Sequence, residues 1–81
     1  MQQFDIRLTL AENVKTFVNI VNKYDFEMDL RAGRHVVDAK SILGIFSLDL
    51  SRTITLEIED ADKANPEALK ALIAEIQPFL A

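Results

Sequence analysis

Side chains able to do chemistry are few in this sequence, and Ser41 is the best placed of them. It stands immediately before Ile42-Leu43-Gly44-Ile45-Phe46-Ser47-Leu48, a short apolar run that reads as a helix. A serine there caps the helix by accepting a hydrogen bond from a free first-turn amide, worth about 1 kcal/mol without any further role. The sequence holds no cysteine, which excludes disulfides, thiolate metal sites and thiol nucleophiles together. Its one histidine, His35, falls on a strand-like stretch beside Val36, where an imidazole is more often a surface or packing group than a nucleophile. Lys15 offers a point charge to a phosphate, but on a charged helix face it reads as a solvated side chain. Asp60 and Asp62 lie in a charge run of the kind that contributes solubility. There is no Gly-rich phosphate loop, metal-ligand cluster or catalytic triad, so no cofactor or metal is expected.

The elements that must position Ser41 follow from periodicity. Residues 3 to 9 alternate, with Phe4, Ile6 and Leu8 on one face, as a half-buried strand. Thr9 and Glu12 make the Thr-x-x-Glu pattern of a capping box, and Val14, Phe17, Val18 and Val21 follow at helical spacing. Tyr24 and Asp25 close that helix, and Phe26, Met28 and Leu30 form a second strand. Ala32-Gly33 turns the chain into a third strand, Arg34 to Asp38, where one of the adjacent Val36 and Val37 must point away from the core or lie under another element. The helix after Ser41 runs to about Leu48, and Gly44 inside it costs up to about 1 kcal/mol that tertiary contacts must offset. Thr53 to Glu59 form a fourth strand, and Asn65-Pro66-Glu67 opens a last helix carrying Leu69, Leu72, Ile73 and Ile76, with Pro78 ending or bending it. This β-α-β-β-α-β-α order predicts an α+β fold, a four-stranded antiparallel sheet with helices on one face. The other face, with Asp5, Arg7, Glu27, Asp29, Thr53, Thr55, Glu57 and Glu59, is expected to be solvated.

Composition bounds the rest. A chain of 81 residues, 49% hydrophobic and 27% charged, supports one domain over residues 1–81. A net charge of −4, with nine Lys and Arg spread along the chain, argues against nucleic acid as a partner. No apolar run approaches the roughly 20 residues of a membrane span, and the start Met1-Gln2-Gln3-Phe4-Asp5 has neither a basic region nor an apolar core, so a soluble, cytoplasmic protein is expected.

With that order of elements, Asp38 to Leu48 resembles the regulatory-serine region of HPr, the histidine-containing phosphocarrier of the bacterial sugar phosphotransferase system. Gram-positive members carry a Lys-Ser-Ile-Met-Gly-Val-Met-Ser-Leu type run, matched here by Lys40-Ser41-Ile42, Gly44 and Ser47-Leu48. The resemblance implies an open-faced β-sandwich over nearly the whole chain. It also implies that Ser41 is the position a bifunctional kinase/phosphatase modifies. In the family's pattern Ile45 and Leu48 are buried, which leaves Ile42, Leu43 and Phe46, with Lys40, as a partner surface for phosphotransferase enzymes or a transcription regulator. One departure matters. The family's phosphorylated histidine lies in a Gly-x-His-x-Arg-Pro type loop between the first strand and first helix, where this chain reads Thr9-Leu10-Ala11-Glu12-Asn13-Val14-Lys15, with no His, Arg or Pro. No residue of Leu10, Ala11, Glu12 and Asn13 can form a phosphohistidine, and Glu12 would repel phosphate.

The reading that follows is an HPr-like regulatory or protein-interaction module without catalytic activity of its own, modified at Ser41. The exposed apolar side chains admit either a protein partner or a homodimer. Two other readings stay open: a phosphocarrier component with an unorthodox phosphate acceptor, and a generic α+β ligand-binding domain, which would require a real pocket.

Overall fold

All four predicted strands form one antiparallel sheet in a computed structural model that describes residues 2–81. They are β1 (Gln2–Ile6), β2 (Met28–Ala32), β3 (His35–Asp38) and β4 (Ile54–Ile58), in the spatial order β1-β4-β2-β3. Three α-helices cover one face: α1 (Ala11–Val21), α2 (Ile42–Phe46) and α3 (Pro66–Glu75). The alternating apolar residues of the strands meet the helix stripes in one core of Ile6, Met28, Leu30, Ile54, Leu56 and Ile58 against Val14, Phe17, Val21, Ile45, Leu72 and Ile76. The chain thus has the α+β fold that the periodicity predicts, with the open-faced sandwich form that the resemblance implies. No helix is long and apolar enough to cross a membrane among the described residues.

Local chemistry sets the joints. Gly33 turns β2 into β3 at φ +60°, in a two-residue hairpin closed by the pair Ala32 and His35. Asn65 caps α3 by accepting from the Glu67 amide at 2.9 Å, with Pro66 in the first helical position. After α3 a 3₁₀ turn over Gln77–Phe79 places Phe79 edge-on to Phe17, with ring centroids 5.9 Å apart. The chain then pairs with the outer edge of β1: the Arg7 amide donates to the Phe79 carbonyl at 2.8 Å and the Ala81 amide to the Asp5 carbonyl at 2.9 Å. One edge of the sheet is therefore covered, and β3 forms the other.

Three expectations are corrected. Thr9 does not cap α1. Leu8 is fully buried, so the chain stays extended through Leu10, and Leu10 takes the cap position at φ −120°, ψ 150°. A leucine has no side-chain acceptor, so only half of a capping box exists: Asn13 Oδ1 accepts from the Leu10 amide at 3.1 Å. The helix after Ser41 ends at Phe46 rather than Leu48, its last turn tightening as the Ser47 and Leu48 amides donate to the carbonyls of Gly44 and Ile45. The open face is not uniformly solvated either. Glu57, on a strand flanked on both sides, is only 5% exposed, because Gln3 (2.9 Å) and Arg31 (3.1 and 3.2 Å) close over its carboxylate. The adjacent valines separate as anticipated. Val36 lies opposite Arg31 on the open face and is exposed, while Val37 is half-buried beneath α2.

Candidate functional site

Ser41 sits in extended conformation at the N-cap of α2, where its Oγ accepts from the Gly44 amide at 3.1 Å. Two turn bonds deliver it there: Asp38 Oδ1 accepts from the Lys40 amide at 2.9 Å, and the Asp38 carbonyl accepts from the Ser41 amide at 3.0 Å. Such Asx turns satisfy backbone amides that neither strand nor helix uses. Lys40 is half-buried, and its ammonium donates to the Tyr24 carbonyl just beyond the C-terminal end of α1. Asn22 Nδ2 reaches the Lys40 carbonyl at 3.5 Å from the same place. The start of α2 is thereby anchored to the end of α1.

From that anchor α2 divides its apolar residues by helical spacing. Ile45 and Leu48 enter the core, Ile42 is half-buried, and Leu43 and Phe46 stand outside at 81% and 45% exposure. Gly44 makes the seat. A Cβ there would lie 3.2 Å from the Val37 Cβ and 3.3 Å from Ser41 Oγ, so α2 rests closer to β3 than an alanine would allow without a small shift of the helix.

The β1–α1 junction holds the remaining candidates. Leu10 is 62% exposed, Ala11 and Glu12 are exposed on the first turn, and Asn13 is half-buried with its side chain spent on the Leu10 amide. This junction and Ser41 lie at opposite ends of α1, roughly 16 Å apart at 1.5 Å per helical residue. The far end of α2 returns toward the junction: Arg7 Nη2, just before it, donates to the Ser51 carbonyl at 3.2 Å. Asp49 nearby takes both the hydroxyl (2.6 Å) and the amide (3.1 Å) of Ser51, and these bonds hold its carboxyl below the usual carboxylate range. His35 is exposed at the start of β3 and lines a shallow concavity of about 210 Å³ with Arg52 and Asp49. Sequence reasoning did not find the Lys40–Tyr24 anchor, since a lysine's partner across 16 residues leaves no local signal.

A family model described as "PTS HPr component phosphorylation site" matches residues 10–77 of this chain. The chain belongs to the HPr family. HPr structures resemble it along almost their full lengths. "HPr-C-His" from Thermoanaerobacter tengcongensis is 30% identical, with 95% of this chain and 92% of that one covered at a TM-score of 0.72. A phosphocarrier protein HPr from Bacillus anthracis is 32% identical, with 94% of each chain covered at a TM-score of 0.62. The chain is thus an HPr-like member of the phosphocarrier family of the phosphotransferase system, with the family's fold and no histidine at its β1–α1 junction.

Proposed function

We propose that this HPr-like protein is a regulatory or protein-interaction module that works through α2, and that Ser41 is its modified residue. The observation that carries the reading is the pairing of an exposed apolar surface, Leu43 and Phe46, with a capping serine on the same short helix. A phosphate on Ser41 would face the Gly44 amide that its Oγ already accepts from, so the added charge is electrostatically favourable there. Ile42, Leu43 and Phe46 meet the partner, and Lys40, whose ammonium is held within the molecule, fixes where they stand. The partners are phosphotransferase enzymes, a serine kinase/phosphatase or a transcription regulator, and the protein catalyses nothing itself.

Two donors test this. ATP with the serine kinase is expected to add one phosphate, read by intact mass, and Ser41→Ala to abolish it. Phosphoenolpyruvate with the system's first enzyme is expected to give no acid-labile phosphate. Acid-labile phosphate on the wild type would replace this reading with a phosphocarrier using an unorthodox acceptor, and phosphate persisting on Ser41→Ala would remove Ser41 from it. Phe46→Glu is expected to weaken partner binding at least about tenfold, as for a central apolar anchor.

A further inference from the structure

Between α1 and β2 the chain reads Asn22-Lys23-Tyr24-Asp25-Phe26-Glu27, a connection with two aromatic residues among polar ones. Tyr24 and Phe26 come together there, with ring centroids 5.5 Å apart and planes tilted by 30°, and both are only half-buried. Beside them lies a cleft of about 430 Å³, lined from the other segment by Ala64 and Ala68 where the chain enters α3. That volume falls in the range of small-molecule sites, and the small alanines leave it open. Three ionic side chains line the same cleft: Lys23, Asp25 and Lys63. Glu75 of α3 takes the Lys23 ammonium at 2.8 Å, which neutralises it and ties this wall of the cleft to the helix. No ion pair engages Lys63 or Asp25 among the described residues, either with each other or with another group. The cleft therefore combines aromatic surface with one free cation and one free carboxylate.

We propose that this cleft binds a small aromatic zwitterion, the chemistry of a free aromatic amino acid. The ligand's ring packs against Tyr24 and Phe26, its carboxylate meets Lys63 and its ammonium meets Asp25. A lone anion such as phosphate would satisfy Lys63 and be repelled by Asp25, and an uncharged apolar molecule would leave both charges without a partner. The cleft shares no residue with Ser41, Ile42, Leu43 or Phe46, so the site goes beyond the proposed function and does not depend on it.

Amide shifts in two-dimensional NMR of the full chain test the site. L-phenylalanine is expected to move the Tyr24, Phe26, Ala64 and Ala68 amides saturably, with a dissociation constant of about 1–10 mM for a ligand of its size. Hydrocinnamate, which lacks the ammonium, and phenethylamine, which lacks the carboxylate, are each expected to bind about two- to fivefold more weakly, as for exposed ion pairs. Inorganic phosphate is expected to produce no saturable shift. Lys63→Gln is expected to weaken L-phenylalanine about two- to fivefold and leave phenethylamine unchanged, and Asp25→Asn to weaken L-phenylalanine equally and leave hydrocinnamate unchanged. Ala68→Leu, which keeps a good helix former and fills the cleft, is expected to abolish binding. If that variant fails to fold, the two charge variants at exposed positions carry the test. No saturable shift with L-phenylalanine up to about 50 mM, phosphate binding as tightly, charge variants that affect all three organic ligands alike or none, or binding that survives in folded Ala68→Leu would each overturn the site.

Discussion

Glu57 and Glu59 stand two positions apart, yet their surroundings push their protonation in opposite directions. Hydrogen bonds from Arg31, chiefly, hold the Glu57 carboxyl below the usual range, with burial working against them. Glu59 is raised, first by the charge of Asp29 and then by loss of solvation, with the charges of Asp60 and Glu27 adding to it. A depressed carboxyl contributes stability that is present above its unfolded value and lost as pH falls through its folded one; a raised carboxyl does the reverse, and its folded state gains as pH falls. Glu57→Gln is therefore expected to lower the urea midpoint at pH 7, with the deficit narrowing at about pH 3. Glu59→Gln is expected to raise the midpoint at pH 7, with the gain vanishing in acid. Midpoints moving the same way in both variants would contradict this account. Alternation in the sequence puts Glu57 on the correct face. Its cover by Gln3 and Arg31, 54 and 26 residues away, depends on strand order, which no local pattern encodes.

At the scale of elements, α2 shows both what the sequence carries and where it falls short. The capping serine, the inward Ile45 and Leu48 and the outward Leu43 and Phe46 are legible from residue type, spacing and family resemblance. The junction before α1 is less so, because the burial of Leu8, a tertiary fact, overrides the local preference of Thr9 for the cap. Gly44 looks like a weakness in a helix, and its compensation appears only in the 3.2 Å approach to Val37. Gly44→Ala should ordinarily gain up to about 1 kcal/mol of helix propensity. Here the added methyl meets the Val37 Cβ, which is fixed to the strand backbone, so the variant is expected to be less stable by about 1–2 kcal/mol in urea denaturation. Val37→Ala should not rescue it, since alanine keeps the offending carbon. A stabilised Gly44→Ala would mean that α2 can lift from β3 at little cost.

Over the whole molecule, the sheet order and the chain order disagree. β4 comes last of the strands in sequence but lies inside the sheet, bonded to β1 on one side and β2 on the other. Leu56 sits at the crossing, opposite Phe4 and Leu30 at once, and is fully buried. Leu56→Ala is expected to cost about 2–5 kcal/mol. Much of that loss should appear as refolding slowed at least about tenfold in stopped-flow measurements. If the whole effect fell on the unfolding rate, β4 would join only after the rate-limiting step. The β2–β3 hairpin can form early because its partners are neighbours in the chain. β1 has no strand to pair with until residue 54 arrives, so on the ribosome it must wait, exposed, while α1, β2, β3 and α2 emerge ahead of its partner.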